Sequence, residues 1–114
     1  MNPRIESLEK MLDGPRDGAL LRFSLGNEYL KAGNASEAEK CFQAAVDRDK
    51  QYSAAWKALG KARSEAGDHQ GALAAYEQGI SVAEARGDVQ AAKEMAIFAR
   101  RLKNALDTAR PADS

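Results

Sequence analysis

The sequence predicts an all-α fold in which antiparallel helix pairs stack in a row, two pairs in all, with a capping helix at either end. Three observations carry that expectation. Leu25 and Leu59, Gly26 and Gly60, Ala32 and Ala66, Gly33 and Gly67, and Ala38 and Ala72 each stand 34 positions apart, as do Phe42 and Tyr76, and Val46 and Ile80. A fixed period of this length marks stacked supersecondary units. Within each unit the apolar residues recur at every third or fourth position, the spacing of a helix face. The chain of 114 residues holds 3 prolines and is rich in Ala, Glu, Lys, Leu and Arg, whose intrinsic preference is helical.

Asn2-Pro3 supplies a cap and a favourable first helical residue, and Ile5, Leu8, Met11 and Leu12 form one stripe that stops at Gly14-Pro15. An N-terminal capping helix is therefore expected over 2–13. Leu8 lies 34 before Phe42, so this helix stands where the second helix of a missing unit would be. The first unit, 19–52, carries Leu21, Leu25, Tyr29 and Ala32 on one helix, and Ala38, Phe42, Ala45 and Val46 on the next. Gly33-Asn34 separates them as a helix stop and a cap, with Glu37 placed to complete a capping box. The second unit, 53–86, repeats the plan: Ala55, Leu59, Ala62 and Ala66, the break at Gly67-Asp68, then Ala72, Tyr76, Gly79 and Ile80. Gly87-Asp88 stops that helix and starts a C-terminal capping helix over 88–108. Its stripe is Val89, Ala92, Met95, Ala96, Ala99, Leu102 and Leu106. Met95 falls two places late of the strict period, which predicts a longer helix before it. Residues 109–114 are expected to fray.

Gly26 and Gly60 sit mid-helix, where glycine costs about 1 kcal/mol against alanine. Such a cost is tolerated where helices approach closely, and Ala38 and Ala72 are expected opposite them, with Phe42 and Tyr76 filling the next space.

Leu-Gly, then Ala-Gly, then Ala-x-x-x-Phe or Ala-x-x-x-Tyr resembles the tetratricopeptide repeat (TPR) family. Trp56-Lys57-Ala58-Leu59-Gly60 adds that family's Trp, and Gly26-Asn27-Glu28-Tyr29 its Tyr. Arg22 replaces the Trp in the first unit and Arg63 the Tyr in the second, Gly79 replaces an Ala, and Lys50 and Glu84 replace the closing Pro. The resemblance covers Ala19 to about Arg86. It implies a right-handed superhelical stack, and a concave groove lined by the first helices of successive units, in which extended peptides often lie.

Composition excludes several functions. Basic and acidic residues balance at 17 each, so no overall field favours nucleic acid or anionic lipid, although Arg100, Arg101 and Lys103 cluster. Cys41 is the sole cysteine, which forbids an internal disulfide or a multi-cysteine zinc site. No stretch has the apolar length of a membrane span, and MNPRIESLEK lacks a basic start followed by an apolar run; a cytoplasmic protein is expected. His69, the sole histidine, falls in a turn, and Cys41 precedes Phe42 on a packed helix with no histidine to activate it. No phosphate loop, metal spacing or acid–base pair appears, so neither an enzyme nor a cofactor is expected.

At 100° per residue, Leu20, Phe23, Asn27 and Leu30 lie opposite the Leu25/Tyr29 stripe, which leaves Phe23 and Leu30 in need of a partner. The equivalent places are Lys57, Lys61 and Ser64 in the second unit and, with the two-residue displacement, Lys93, Ile97 and Arg100 in the last helix, flanked by Arg101. Carried over, the groove would hold Phe23, Asn27, Leu30, Lys57, Lys61, Ser64, Lys93, Ile97 and Arg100: a basic floor with an apolar end. Some family members clamp a terminal carboxylate here, yet Phe23 and Ala58 stand where two clamp residues would be. Acidic or carboxylate-containing ligands in general follow from the lysines, bound by a non-catalytic adaptor. Two alternatives stay open: a solvated lysine face, and a homodimer that covers Phe23, Leu30, Ile97 and Phe98.

Overall fold

The computed structural model describes residues 2–108, so the tail expected to fray lies outside the described residues. Six helices follow one another: α1 (Pro3–Glu9), α2 (Ala19–Lys31), α3 (Ala35–Arg48), α4 (Ser53–Glu65), α5 (His69–Ala85) and α6 (Val89–Thr108). Each packs mainly on its sequence neighbours, with slighter contact between α2 and α4 and between α4 and α6. The result is a row rather than a ball. Its extents are 52 × 34 × 19 Å and its Cα radius of gyration is 15.1 Å, against roughly 13 Å for a compact domain of this length.

The hairpin turns are made by two residues each. Gly33 has φ +81 and Gly67 φ +87, a left-handed conformation that glycine adopts without a Cβ penalty. The Gly33 N–H donates to the Leu30 carbonyl and the Asn34 N–H to the Tyr29 carbonyl, a Schellman closure that satisfies the last carbonyls of α2. Asn34 then turns its side chain to the next helix and accepts from the Glu37 N–H at 3.2 Å. The expected capping box is thus half formed. Its return bond is absent because the Asn34 N–H is already committed to Tyr29, and the Glu37 carboxylate pairs with Lys40 instead. Asp68 does the same between α4 and α5, accepting from the Gly71 N–H at 2.9 Å.

α1 is shorter than the stripe suggested. Asn2 caps it by accepting from the Arg4 and Ile5 N–H groups, but it ends at Glu9 and turns follow, leaving Met11 exposed. Ile5 is its one buried residue; Tyr29 Oη donates to Glu9 at 2.8 Å and Arg4 pairs with Glu28. That hydrogen bond and burial push the Tyr29 hydroxyl up to about 12.

The core lies in two continuous clusters. Phe42, Ala45, Val46, Ala55, Leu59 and Ala62 join α3 to α4, and Tyr76, Ala83, Ala92, Met95, Ala99 and Leu102 join α5 to α6. The glycine notches are filled differently from expectation. A Cβ on Gly26 would come within 2.5 Å of the Phe42 ring, and one on Gly60 within 2.6 Å of the Tyr76 ring. The aromatic ring itself, rather than Ala38 or Ala72, rests against the glycine. Gly79 is a third notch, where a Cβ would meet Met95 Sδ at 2.5 Å and Trp56 Cβ at 2.9 Å.

Both arginines that break the expected pattern have structural work. Arg22 grips Asp17 with two bonds, of 2.9 and 2.7 Å, across the entry to α2. Arg63 joins three helices: Nε reaches Glu39 at 3.2 Å, Nη2 reaches Gln43 at 2.6 Å and Nη1 reaches the Gly71 carbonyl at 3.1 Å. A planar guanidinium serves three acceptors at once, which a tyrosine hydroxyl there could not.

Candidate functional site

α2 and α4 lie side by side, and their outward faces form one wall of a hollow of about 750 Å³. Its lining includes Phe23, Asn27 and Leu30 from α2 and Lys57, Lys61 and Ser64 from α4. These are six of the nine sequence-predicted groove residues, brought together because the 34-residue period repeats one helix orientation. Ala54, Ala58 and Glu65 complete the α4 side, and Tyr76 and Phe98 close the far side from α5 and α6.

The apolar wall is braced from behind. Phe23 stacks at an angle on Phe42, ring centroids 5.8 Å apart, and on Tyr52 at 5.0 Å. Tyr76 and Phe98 stand 5.5 Å apart across the groove's other end. Tilted pairs at such separations are favourable aromatic contacts, and they brace the wall against the core. Burial, reinforced by Glu65, pushes the Tyr76 hydroxyl up to about 12, and it stays a neutral group.

Lys93, Ile97 and Arg100 require correction. None lines the hollow. Lys93 and Arg100 are exposed, Ile97 is 49% exposed, and Arg100 lies in a separate shallow groove with Glu77, Ile80 and Lys103. Glu94, Phe98 and Arg101 take the inner face instead: Glu94 pairs with Lys57 at 3.1 Å, Phe98 lines the hollow, and Arg101 lines a neighbouring depression with Ser64, Tyr76 and Phe98. Each is one position further on than expected, a rotation of α6 by about 100°. The physical reason is that α6 has only α5 as a broad neighbour. It turns the stripe Ala92, Met95, Ala99 and Leu102 fully onto α5, where α4 must divide its apolar surface between α3 and α5. A displacement of three residues rather than two puts Glu94, Phe98 and Arg101 at the places of Lys57, Lys61 and Ser64; the sequence marks Phe98 as apolar surface in need of cover but carries no such signal for Glu94 or Arg101.

Two further residues fall away from the groove. Trp56 donates its indole N–H to the Lys50 carbonyl at 2.9 Å and lines a different cleft with Arg63 and Gln78, so it does not report on the hollow. Burial pushes the Cys41 thiol up to about 11, which keeps it protonated at neutral pH and poorly nucleophilic. Glu65 and Glu94 also temper the basic floor, since Lys57 is already paired. Among the described residues no helix is long and apolar enough to cross a membrane.

A tetratricopeptide repeat family model matches residues 19–52. A TPR repeat-containing protein of Pseudomonas aeruginosa is 54% identical over 101 residues, 89% of this chain and 96% of that one. The solution structure of a Bordetella parapertussis protein superposes with a TM-score of 0.77 at 43% identity, covering 91% of this chain and 90% of that chain. The solution structure of a tetratricopeptide repeat domain protein from Salinibacter ruber gives 0.72 at 29% identity, over 81% and 92%.

Proposed function

Because the chain belongs to the tetratricopeptide repeat family, whose scaffolds generally mediate protein–protein interaction without catalysis, we propose that it is a binding module for a partner protein. An extended segment of that partner lies in the concave hollow. The observation that supports this reading is the convergence of a braced apolar wall with lysines on one open surface. Phe23, Leu30, Tyr76 and Phe98 bury an apolar side chain, Asn27 and Ser64 offer polar contacts to the ligand backbone, and lysine takes a carboxylate. Two repeats make a short groove, so affinity is expected on the order of micromolar or weaker.

Amide-shift titration with short acetylated and amidated peptides carrying one Phe and one Asp tests this reading. Shifts centred on Asn27, Lys61 and Ser64 are expected, and their absence at millimolar peptide would overturn it. Sedimentation across a concentration range decides the competing reading, a homodimer that covers the apolar wall and the exposed Ile97. A monomer throughout fits a groove left free for another protein; a mass that climbs with concentration, with loss of peptide binding, favours self-association.

A further inference from the structure

Resting on the groove reading, we propose that the groove is electrically one-sided. The partner's single carboxylate docks at the Ser64 end, served by Lys61 and Arg101 beside the Tyr76–Phe98 pair, and not at Lys57. The two ends differ in how their cations are occupied. Lys57 Nζ lies 3.1 Å from Glu94 Oε1, with side chains 37% and 43% exposed. An ion pair that open adds little stability, but it occupies the ammonium and sets a negative charge where an incoming acid would have to sit. At the other end neither Lys61 nor Arg101 enters any ion pair among the described residues. Lys61 lines the hollow and Arg101 the depression beside it, and Ser64, Tyr76 and Phe98 line both.

Glu65 is the acid at that end. Two cations against one carboxylate leave a surplus of one positive charge, whereas Lys57 and Glu94 cancel. One ligand carboxylate is therefore matched, and a run of acids is not. Arg101 brings the planar, forked donor set that suits a carboxylate. The rings of Tyr76 and Phe98 alongside favour an apolar residue next to the acid. The partner segment is thus an apolar or aromatic side chain with one neighbouring Asp or Glu, laid in a fixed direction along the groove.

The test compares acetylated, amidated peptides bearing Phe with a nearby Asp against the same peptides with Asn, on the full chain and on K57Q, K61Q and R101Q. All three replaced residues have side chains at least partly in water, and amide spectral dispersion checks that each variant is folded. The Asp peptide is expected to bind about fivefold tighter than the Asn peptide. K61Q and R101Q each erode that preference, and K57Q keeps it. If K57Q abolishes the preference, or K61Q and R101Q leave it intact, the one-sided arrangement is wrong although the groove still binds peptide. If no peptide shifts the groove amides, the groove reading itself fails and this inference falls with it.

Discussion

Gly60 shows how much one missing methyl group decides. Its absent Cβ leaves room for the Tyr76 ring, which would otherwise stand 2.6 Å from it, and Gly26 does the same for Phe42. In an exposed helix, alanine for glycine would gain about 1 kcal/mol from backbone entropy. Here overpacking reverses the sign, because the ring is buried and has nowhere to retreat; inserted carbons in a filled core cost about 1–3 kcal/mol. Gly60→Ala is therefore expected to lower stability by roughly 1–2 kcal/mol net, read from the urea midpoint at unchanged slope. It should also shift Phe98, which rests on Tyr76, and so disturb the groove from behind.

At the scale of the element, the ends of the helices carry as much information as their faces. α3 and α5 each begin on a residue whose backbone closes the previous helix and whose side chain opens the next, so one dipeptide fixes two termini. α2 has no such cap: Gly18 offers no side chain, and the Asp17–Arg22 pair fastens the entry instead. The hydrogen bonds from the Arg22 guanidinium, with one from the Asp13 N–H, hold the Asp17 carboxyl well below the usual carboxylate range. A depressed carboxylate stabilises the fold above its unfolded value of about 3.9 and loses that contribution as pH falls toward its folded value. Asp17→Asn is therefore expected to be less stable than the parent at pH 7, and the gap should narrow steadily as pH falls from about 4 to about 2. Urea midpoints at pH 7 and pH 2 check this; a gap of undiminished size at pH 2 would show that packing, not charge, is what Asp17 supplies.

Across the whole molecule, a row of helices in which each packs on its neighbours cannot share stability evenly. α4 and α5 are covered on both sides and hold Leu59, Ala62, Ala72 and Tyr76, while α1 is 7 residues long with Ile5 as its buried anchor. Hydrogen exchange is expected to open α1 first and at the lowest free energy, and to protect the amides of α4 and α5 longest. Uniform protection from α1 to α6 would instead mean that the row unfolds as one block. The same asymmetry explains the groove: a helix between two broad neighbours is held in rotation, and α6, the last of the described helices, answers mainly to α5.

The sequence by itself determined the helices, their breaks and the repeated joint, because these depend on local chemistry: Gly33-Asn34 and Gly67-Asp68 close and open helices whatever surrounds them, and the 34-residue period copies one packing solution. It also determined the α2 and α4 walls of the groove, since Phe23, Asn27, Leu30, Lys57, Lys61 and Ser64 follow from that period. Only the tertiary structure decided the third wall. Whether Arg100 or Arg101 faces inward is a matter of about 100° of helix rotation, and that angle is set by how completely Ala92, Met95, Ala99 and Leu102 bury themselves on α5. Tertiary contact decided, too, that Lys57 is held by Glu94, a residue 37 positions away whose approach no local pattern encodes.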